Sequence, residues 1–295
     1  MTDIKDKIID SLRRNGFENV SRVPLETQAN EFLSEKRVQE QIEQIKRFVP
    51  DLHEKKLLEI GSGYGTFVAF CNKNRVCEVH GIEPGQDAYA DAYSISREVL
   101  ARYGVSSEMI RNAYGESIPH ADSIFDLVWS TNVLEHVADP AKVLAEAFRV
   151  LKPGGTAILV VPNYGSFWEG HYGVLFPPHC PKWIFKALVR FIGRDPAFVD
   201  TLQFVTYRKL KKWMSPFSSN IELVTTGQEI WEERVRTLQF SEWAELGKLK
   251  SIIRWIHSLR LLRLVVWLGK KFHWETPFVL VFHKRKHPAQ QKPVG

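Results

Sequence analysis

Hydrophobic and polar positions alternate along the first half of the chain in blocks that predict strands and helices in turn. Short apolar runs predict buried strands over 55–60, 76–84, 125–137 and 156–163. Apolar residues at helical spacing predict helices over 66–74, 86–104 and 139–155. Such alternation is typical of a parallel sheet covered by helices on both faces. In sheets of this kind ligands bind beyond the carboxyl ends of the strands.

A glycine loop follows the first predicted strand. Gly61, Gly63 and Gly65 come directly after the apolar run LLEI, and glycine lets a chain turn tightly and approach a ligand with its backbone. Amide groups at the start of the next helix point into the same space. Glu83 ends the second strand, where a carboxylate can accept both hydrogen bonds from a ribose diol. Loop and acid predict a nucleoside site, the alternative being a tight turn without a ligand.

The glycine spacing argues against two other nucleotide-binding loops. The dehydrogenase fingerprint is GxGxxG, whereas this loop reads GxGxG and continues with Thr66. The P-loop of nucleoside triphosphatases ends in GK[ST], and this loop does not.

Four segments in order resemble a class I S-adenosylmethionine-dependent methyltransferase of the type 11 group. They read LLEIGSGYG, GIEP, GESIPHADSIFDLVWSTNVLEHV and AEAFRVLKPGGTAILVVPN, and they cover roughly residues 55–163. The resemblance implies an α/β fold with a seven-stranded Rossmann-like methyltransferase sheet, six strands being parallel and the last antiparallel, with helical insertions. It also implies S-adenosyl-L-methionine as the cofactor.

The same resemblance assigns the rest of the chain. A helix is expected over 206–214, the sixth strand over 220–227 and the final strand over 276–286. The predicted divisions are a helical cap at 1–50, a methyltransferase domain at 51–286 with a lid insertion at 164–200 and an amphipathic helical insertion at 228–273, and a flexible tail at 287–295.

Cofactor contacts are implied for residues at the strand ends. The glycine loop and Glu59 would contact the methionine part and the ribose, Glu83 the ribose hydroxyls, and the 114–116 segment the adenine. Tyr114 stands where many relatives carry an Asp, so that contact would fall to the backbone or to Asn112. The implied cofactor-binding set is Glu59, Gly61, Ser62, Gly63, Tyr64, Gly65, Glu83, Pro84, Tyr114, Gly115, Glu116, Asn132 and Glu135.

Three residues are candidates for catalysis. His171 lies in the lid and is the leading candidate for a general base, because an imidazole can take a proton at neutral pH. His136 belongs to the LEHV signature, and Tyr172 follows His171. The alternatives are that His136 fixes its loop and that His171 and Tyr172 pack the lid. The sequence shows no metal-ligand spacing, so metal-independent chemistry is expected.

Composition and cysteine spacing indicate the class of protein and its cellular compartment. The 295 residues are 44% hydrophobic and 25% charged, which is typical of a globular protein rather than a disordered one. Cys71, Cys77 and Cys180 have neither disulfide-framework nor zinc spacing, which favours a reducing cytosol. The N-terminus is too charged for a signal peptide. No apolar stretch is long enough for a transmembrane helix.

The excess of 40 Lys and Arg over 34 Asp and Glu matters through its distribution. Residues 182–194 and 248–271 each place basic residues three or four apart among Trp, Leu, Ile and Val, a pattern typical of helices that lie on an anionic membrane surface. The alternative is a pair of helices docked on their own domain. So much aliphatic surface makes nucleic-acid binding unlikely, and the oligomeric state is not predicted.

These features predict a cytoplasmic enzyme, peripheral at the inner face of the membrane. The leading hypothesis is O-methylation of a membrane-associated acceptor such as a lipid-linked sugar or a cell-surface glycan precursor. A second hypothesis is a methyltransferase of a prenylated quinone-like phenol or another small natural product. A third, of a different class, is a scaffold that binds S-adenosylmethionine without turnover.

Overall fold

The structure is a computed structural model and describes residues 2–86, 90–237 and 261–286. Its centre is a seven-stranded sheet with the order β3-β2-β1-β4-β5-β9-β8. Its strands are β1 (Lys56–Ile60), β2 (Glu78–Glu83), β3 (Ile110–Asn112), β4 (Phe125–Thr131), β5 (Leu151–Val161), β8 (Ile221–Thr225) and β9 (Phe278–Lys284). Strand β9 runs antiparallel to both of its neighbours, and the other six share one direction. The predicted sheet is therefore confirmed.

Helices cover both faces of this sheet. They are α1 (Thr2–Arg14), α2 (Leu25–Phe32), α3 (Glu35–Lys46), α4 (Thr66–Lys73), α5 (Ala90–Tyr103), α6 (Pro140–Val150), α7 (Lys182–Phe191), α8 (Phe198–Thr201), α9 (Tyr207–Met214), α10 (Gln228–Thr237) and α11 (Leu262–Phe272). Successive side chains of a strand point to opposite faces. Accordingly, Leu57 joins the core beneath α1, α3, α4 and α5, while Leu58 joins the core beneath α6 and α9.

The first three helices back the glycine loop. The Tyr64 hydroxyl lies 3.3 Å from the Ser11 hydroxyl of α1, and the Thr66 hydroxyl donates to the Phe32 carbonyl at the end of α2. The Tyr64 side chain therefore points into the packing with the N-terminal helices. Any contribution of Tyr64 to cofactor binding falls to its backbone.

Helix α6 ends earlier than the sequence pattern indicates. Asp139 caps its start by accepting from the amides of Ala141 and Lys142, with Pro140 at the first position. The helix was predicted to continue to 155, but it stops at Val150 and β5 begins at Leu151. Pro153 explains the difference, because proline lacks an amide donor and disfavours helical backbone in the residue before it.

The segment predicted as a lid has its own core. It begins with a hairpin of β6 (Trp168–Glu169) and β7 (Val174–Leu175) and continues through α7 and α8. The core residues include Tyr164, Tyr172, Phe176, Phe185, Val189, Val199, Leu202 and Phe204. Tyr164 and Phe204 stack with ring centroids 4.1 Å apart, which fixes the base of the lid beside the end of β5.

The sequence predicts that the basic residues at 182–194 are available to a membrane, but several of them have partners within the protein. Lys186 forms an ion pair with Asp200 at 2.6 Å, and Arg194 donates to the carbonyl of Ser21 at 2.9 Å. These two basic residues are thus engaged within the protein. Trp183 and Phe191 instead reach solvent, with 72% and 89% of their surfaces exposed.

Helices α10 and α11 pack on each other through Trp231, against which a side chain at Gly269 would collide. Most of the predicted basic helix at 248–271 lies outside the described residues, as does the predicted tail at 287–295. Among the helices that the structure describes, none combines the length and the apolar character needed to cross a membrane.

Candidate active site

The glycine loop at the carboxyl end of β1 is shaped by its neighbours. Gly61, Gly63 and Gly65 have φ values of 74°, 52° and 80°, in the left-handed region that favours glycine. A side chain at Gly61 would collide with Val133, which follows β4, whereas a Cβ on Gly63 would meet nothing within 4 Å. The loop therefore presses against the segment after β4 on one side and leaves open space at Gly63 on the other.

Glu83 is held at this loop. Its Oε2 atom accepts a hydrogen bond of 2.8 Å from the amide of Gly63. Burial raises the pKa of Glu83 to about 7, and the bond from Gly63 offsets part of this effect. The residues after Glu83 contact the end of β3. The Gly85 amide donates to the side chain of Asn112, the last residue of that strand, and Pro84 is half-buried. The predicted acid thus lies beside the loop.

Glu59, the second acid, lies in β1 just before the loop. It is buried, and its Oε2 atom has no hydrogen-bond partner among the residues that the structure describes. Burial raises the pKa of Glu59 well above its usual value, and the charge of Glu83 adds to this. A ligand that carries positive charge or hydrogen-bond donors would supply the missing partner. The residues therefore fit a cationic nucleoside ligand such as S-adenosylmethionine.

The residues predicted to lie beside the adenine differ in their surroundings. Gly115 is buried, and a Cβ there would lie 3.2 Å from Ile60 at the end of β1. The Glu116 carboxylate instead accepts from the amides of Ala138 and Asp139 at 2.9 and 3.2 Å. These contacts favour a structural role for Glu116, which holds the loop before α6, over the predicted contact with adenine. Tyr114 is exposed at the same edge.

The segment after β4 links the glycine loop to the lid. Asn132 is exposed in a left-handed conformation, with φ of 54°, and its amide donates to the Val160 carbonyl of β5. Asparagine tolerates this conformation better than most residues. Asn132 therefore lies at the strand end, where the resemblance implies a contact with the cofactor.

Glu135, His136 and His171 meet where this segment touches the lid. Each offers one ligand atom, and these atoms all lie within 4.8 Å of one another. The two imidazole rings are 5.2 Å apart and nearly perpendicular, and Phe198 lies against both. The two histidines predicted as catalytic candidates are thus brought together. Glu135, His136 and His171, together with Glu169, are called the lid cluster.

Glu169 was not among the predicted site residues. It is fully buried, and its Oε1 atom accepts from Nδ1 of His171 at 2.5 Å while Oε2 accepts from the Tyr172 amide at 2.8 Å. Burial by itself would raise the pKa of Glu169, but the bonds and charge of His171 hold it below its usual value. The sequence signal available for it was a carboxylate two residues before His171.

Glu135 was predicted to bind the cofactor, but it lies within the lid cluster. It is fully buried, and neither carboxylate oxygen has a hydrogen-bond partner in the described part of the chain. Burial raises the pKa of Glu135 to about 7. The pKa of His136 is lowered to about 3, first by burial and then by the charge of His171. His136 is therefore neutral at physiological pH.

Tyr172 has structural contacts. Its hydroxyl donates to the Asp195 carbonyl at 2.7 Å, and its ring packs edge-on against Phe185 in the lid core. The residue is fully buried. These contacts favour a packing role over the predicted catalytic role, because the hydroxyl is engaged by a backbone carbonyl.

Known proteins match the part of the chain that carries the glycine loop. Residues 58–159 match the family described as a methyltransferase domain. An uncharacterized methyltransferase of Mycobacterium sp. (strain KMS) is 36% identical over 118 residues, which are 40% of this chain and 41% of that protein. A dimethylglycine N-methyltransferase of Parasynechococcus marenigrum (strain WH8102) is 47% identical over 107 residues, 36% of this chain and 37% of that protein.

Similarity to solved structures is at the level of the fold. A putative sarcosine dimethylglycine methyltransferase from Galdieria sulphuraria aligns with a TM-score of 0.49 and 17% identity, over 85% of this chain and 86% of that one. This chain spans about two fifths of the length of the curated relatives it matches. The similarity at residues 58–159 is therefore to a methyltransferase domain.

Proposed function

We propose that this chain transfers a methyl group from S-adenosylmethionine to an acceptor held beneath the lid. The observation that carries the proposal is the pair of buried acids at the glycine loop. Glu83 is fixed by the Gly63 amide, and Glu59 keeps an unpartnered oxygen beside it. Together they offer a charge and a hydrogen-bond acceptor to a cationic nucleoside.

The chain's own residues would align the two reactants and exclude water. S-adenosylmethionine supplies a methyl group on a positively charged sulfur, which keeps the bonding electron pair when the methyl group leaves. Val133 brings the segment after β4 against Gly61 of the cofactor loop, and Glu135 follows in the lid cluster. An acceptor in this space would lie between the cofactor and the cluster.

We propose an oxygen acceptor. A hydroxyl must lose its proton as the new oxygen–carbon bond forms, and the lid cluster gathers groups that can promote this loss. His171 and His136 are the candidate bases in this cluster. The alternative is nitrogen methylation, which is the activity in the name of the Parasynechococcus relative. The similarity to that protein covers only 107 residues, so oxygen methylation remains the proposal.

The acceptor that we favour is membrane-associated, such as a lipid-linked sugar or a glycan precursor at the cytoplasmic face. Trp183 and Phe191 project from α7 into solvent, and on α11 Trp267 is 56% exposed. The Lys271 ammonium lies 5.0 Å from the centre of the Trp267 ring. Exposed aromatic residues beside a basic group are typical of surfaces that bind anionic membranes.

The lid and α11 are connected, which supports a common role at a membrane. The Phe167 ring of the lid packs edge-on against Trp274 at 4.7 Å, and the Ser166 hydroxyl donates to the Trp274 carbonyl at 2.6 Å. Asn163 at the end of β5 donates to the carbonyls of His273 and Glu275, both at 2.7 Å. Contact of α11 with lipid would therefore occur beside the base of the lid.

The test uses methyl-labelled S-adenosylmethionine, purified protein and a crude membrane extract, followed by partition of the products. Label in the organic phase supports a lipid-linked or quinone-like acceptor. Alkaline lability or mass spectrometry of the labelled product then distinguishes an oxygen acceptor from a nitrogen acceptor. Label confined to the aqueous or protein fraction contradicts the membrane-associated acceptor. Cofactor binding without any S-adenosylhomocysteine formation in extracts from several membranes would favour the scaffold hypothesis.

A further inference from the structure

The lid cluster carries a set of donors suited to a transition metal. A glutamate and two histidines, Glu135, His136 and His171, place one ligand atom each within 4.8 Å of the others. Two imidazoles and one carboxylate form a common protein set for zinc and for iron. Donor atoms around a tetrahedral zinc ion lie about 3.3 Å apart, so the three groups would have to close by roughly 1.5 Å at most.

An independent observation points to a ligand in the same place. Glu135 is fully buried, and both of its carboxylate oxygens are without a hydrogen-bond partner within the described residues. A buried carboxylate is costly unless it is paired, hydrogen-bonded or bound to a metal. Nε2 of His136 lies 3.8 Å from Oε1 of Glu135, which is too far for a hydrogen bond.

Charge balance leads to the same conclusion. Glu135 and Glu169 are both fully buried, and their ion-pair partners in the described parts of the chain are His136 and His171 rather than Lys or Arg. A divalent cation bound between the two carboxylates would supply the positive charge that no described Lys or Arg provides there.

The second carboxylate is arranged as an outer partner of a metal-binding histidine. Glu169 accepts from Nδ1 of His171, and its other oxygen is held by the Tyr172 amide. The Tyr164 hydroxyl donates to Oε1, the same oxygen that His171 contacts, at 3.3 Å. A carboxylate in this position fixes the tautomer and orientation of an imidazole that binds a metal through Nε2.

We propose that Glu135, His136 and His171 bind a divalent transition-metal ion of the zinc class, with Glu169 orienting His171. Three protein donors leave at least one coordination position open. If the proposed methyl transfer is correct, that position would take the acceptor's oxygen and promote loss of its proton. The proposal gives the two histidines the role of ligands in place of the predicted role of base, and it replaces the expectation of metal-independent chemistry.

Metal binding can be measured without any acceptor. Tag-free protein is stripped with a chelator, titrated with Zn²⁺ by calorimetry, and loaded with Co²⁺ for visible absorption spectroscopy. We expect one ion per chain and the intense visible bands of four-coordinate cobalt. The variants Glu135→Gln and His171→Gln should each weaken Zn²⁺ binding by more than about 100-fold, and Glu169→Gln by about 10- to 100-fold.

The matched control is His179→Asn on the same lid segment. His179 is exposed and has a left-handed backbone with φ of 58°, which asparagine tolerates. Its variant should bind Zn²⁺ as the unaltered protein does. Binding of S-adenosylhomocysteine reports on folding in every variant. The proposal is overturned if the stripped protein binds no ion, or if folded Glu135→Gln and His171→Gln proteins retain full affinity.

The two proposals fail in different ways. Stoichiometric Zn²⁺ binding with no methyl transfer in any extract would leave the metal site in place and contradict the proposed function. Methyl transfer that is unchanged after chelation, in protein shown to hold no metal, would overturn the metal proposal and leave the methyltransferase function intact.

Discussion

Glu169 accepts a hydrogen bond of 2.5 Å from Nδ1 of His171, with the carboxylate fully buried in the lid. The pair lies within a hairpin that is separated along the chain from the glycine loop. Through Glu135 and His136 it reaches the segment after β4, which contacts Gly61 through Val133. One short interaction in the lid thus orients the side chain that faces the proposed acceptor space.

Replacing Glu169 by Gln should disturb this orientation while keeping the shape of the side chain. We expect methyl transfer to fall by about 10- to 100-fold and the protein to lose about 1–3 kcal/mol of unfolding free energy, because a charged buried hydrogen bond is weakened. Affinity for S-adenosylhomocysteine should not change, since the cofactor loop is separate.

Turnover, calorimetric affinity and denaturant unfolding measure these three effects. The control is Glu222→Gln on β8, where the exposed carboxylate lies 3.8 Å from Arg285 and little change is expected. Equal loss of cofactor affinity and turnover in Glu169→Gln would contradict the assignment of this residue to the acceptor side.

The open space beside Gly63 predicts that substitution by Ala affects cofactor binding there but not at Gly16. Gly63 and Gly16 both have left-handed backbones, with φ of 52° and 72°, and at both an added Cβ would meet nothing within 4 Å. Substitution by Ala should cost each protein about 1–2 kcal/mol of backbone strain. Only Gly63→Ala should also lose cofactor affinity, because its methyl group would enter the cofactor space.

Thermal unfolding and calorimetry with S-adenosylhomocysteine distinguish strain from loss of binding. Equal cofactor affinity in the Gly63→Ala and Gly16→Ala proteins would show that the ligand does not approach the loop at Gly63.

The raised pKa of Glu83 predicts that stability without cofactor depends on pH. Burial raises this pKa from its usual 4.5 to about 7 in the folded protein, so the folded state binds its proton more tightly than the unfolded state. The contribution of Glu83 is therefore most favourable below pH 4.5 and is lost as pH rises through about 7. The loss amounts to about 3 kcal/mol.

Denaturant unfolding at pH 5 and pH 8 measures this dependence. Glu83→Gln keeps an acceptor for the Gly63 amide but removes the titration, so its stability should fall less across this range than that of the unaltered protein. An identical fall in both proteins would show that other groups account for the pH dependence.

The exposed aromatic residues of α7 predict a selective loss of membrane binding. We expect the double variant Trp183→Ser and Phe191→Ser to bind vesicles containing anionic phospholipid at least about tenfold more weakly, because each aromatic side chain gains about 1.5–3 kcal/mol on leaving water. Stability should change little, since both side chains are largely exposed.

Vesicle sedimentation measures the binding, and Val224→Ser, at an exposed apolar position on β8, is the control. Unchanged vesicle binding in the double variant, or absence of binding by the unaltered protein, would contradict a membrane role for α7.

The central sheet and the cofactor loop were predictable from the sequence because their signals are local. Apolar runs specify the strands, and the conformations of Gly61, Gly63 and Gly65 require residues without a side chain. Glu83 ends a strand that neighbours the loop, so its position follows from parallel strand order. The early end of α6 was also encoded locally, by Pro153, although helical periodicity concealed it.

The lid cluster depends on tertiary structure. His136 and His171 belong to segments separated by β5, and no periodic pattern determines that their rings lie 5.2 Å apart. The same holds for Lys186, whose pairing with Asp200 is decided by the packing of α7 on α8. Sequence determines which local conformations and which chemical groups are present. Long-range packing decides which charges are buried together, and that burial gives Glu135 its unpartnered carboxylate.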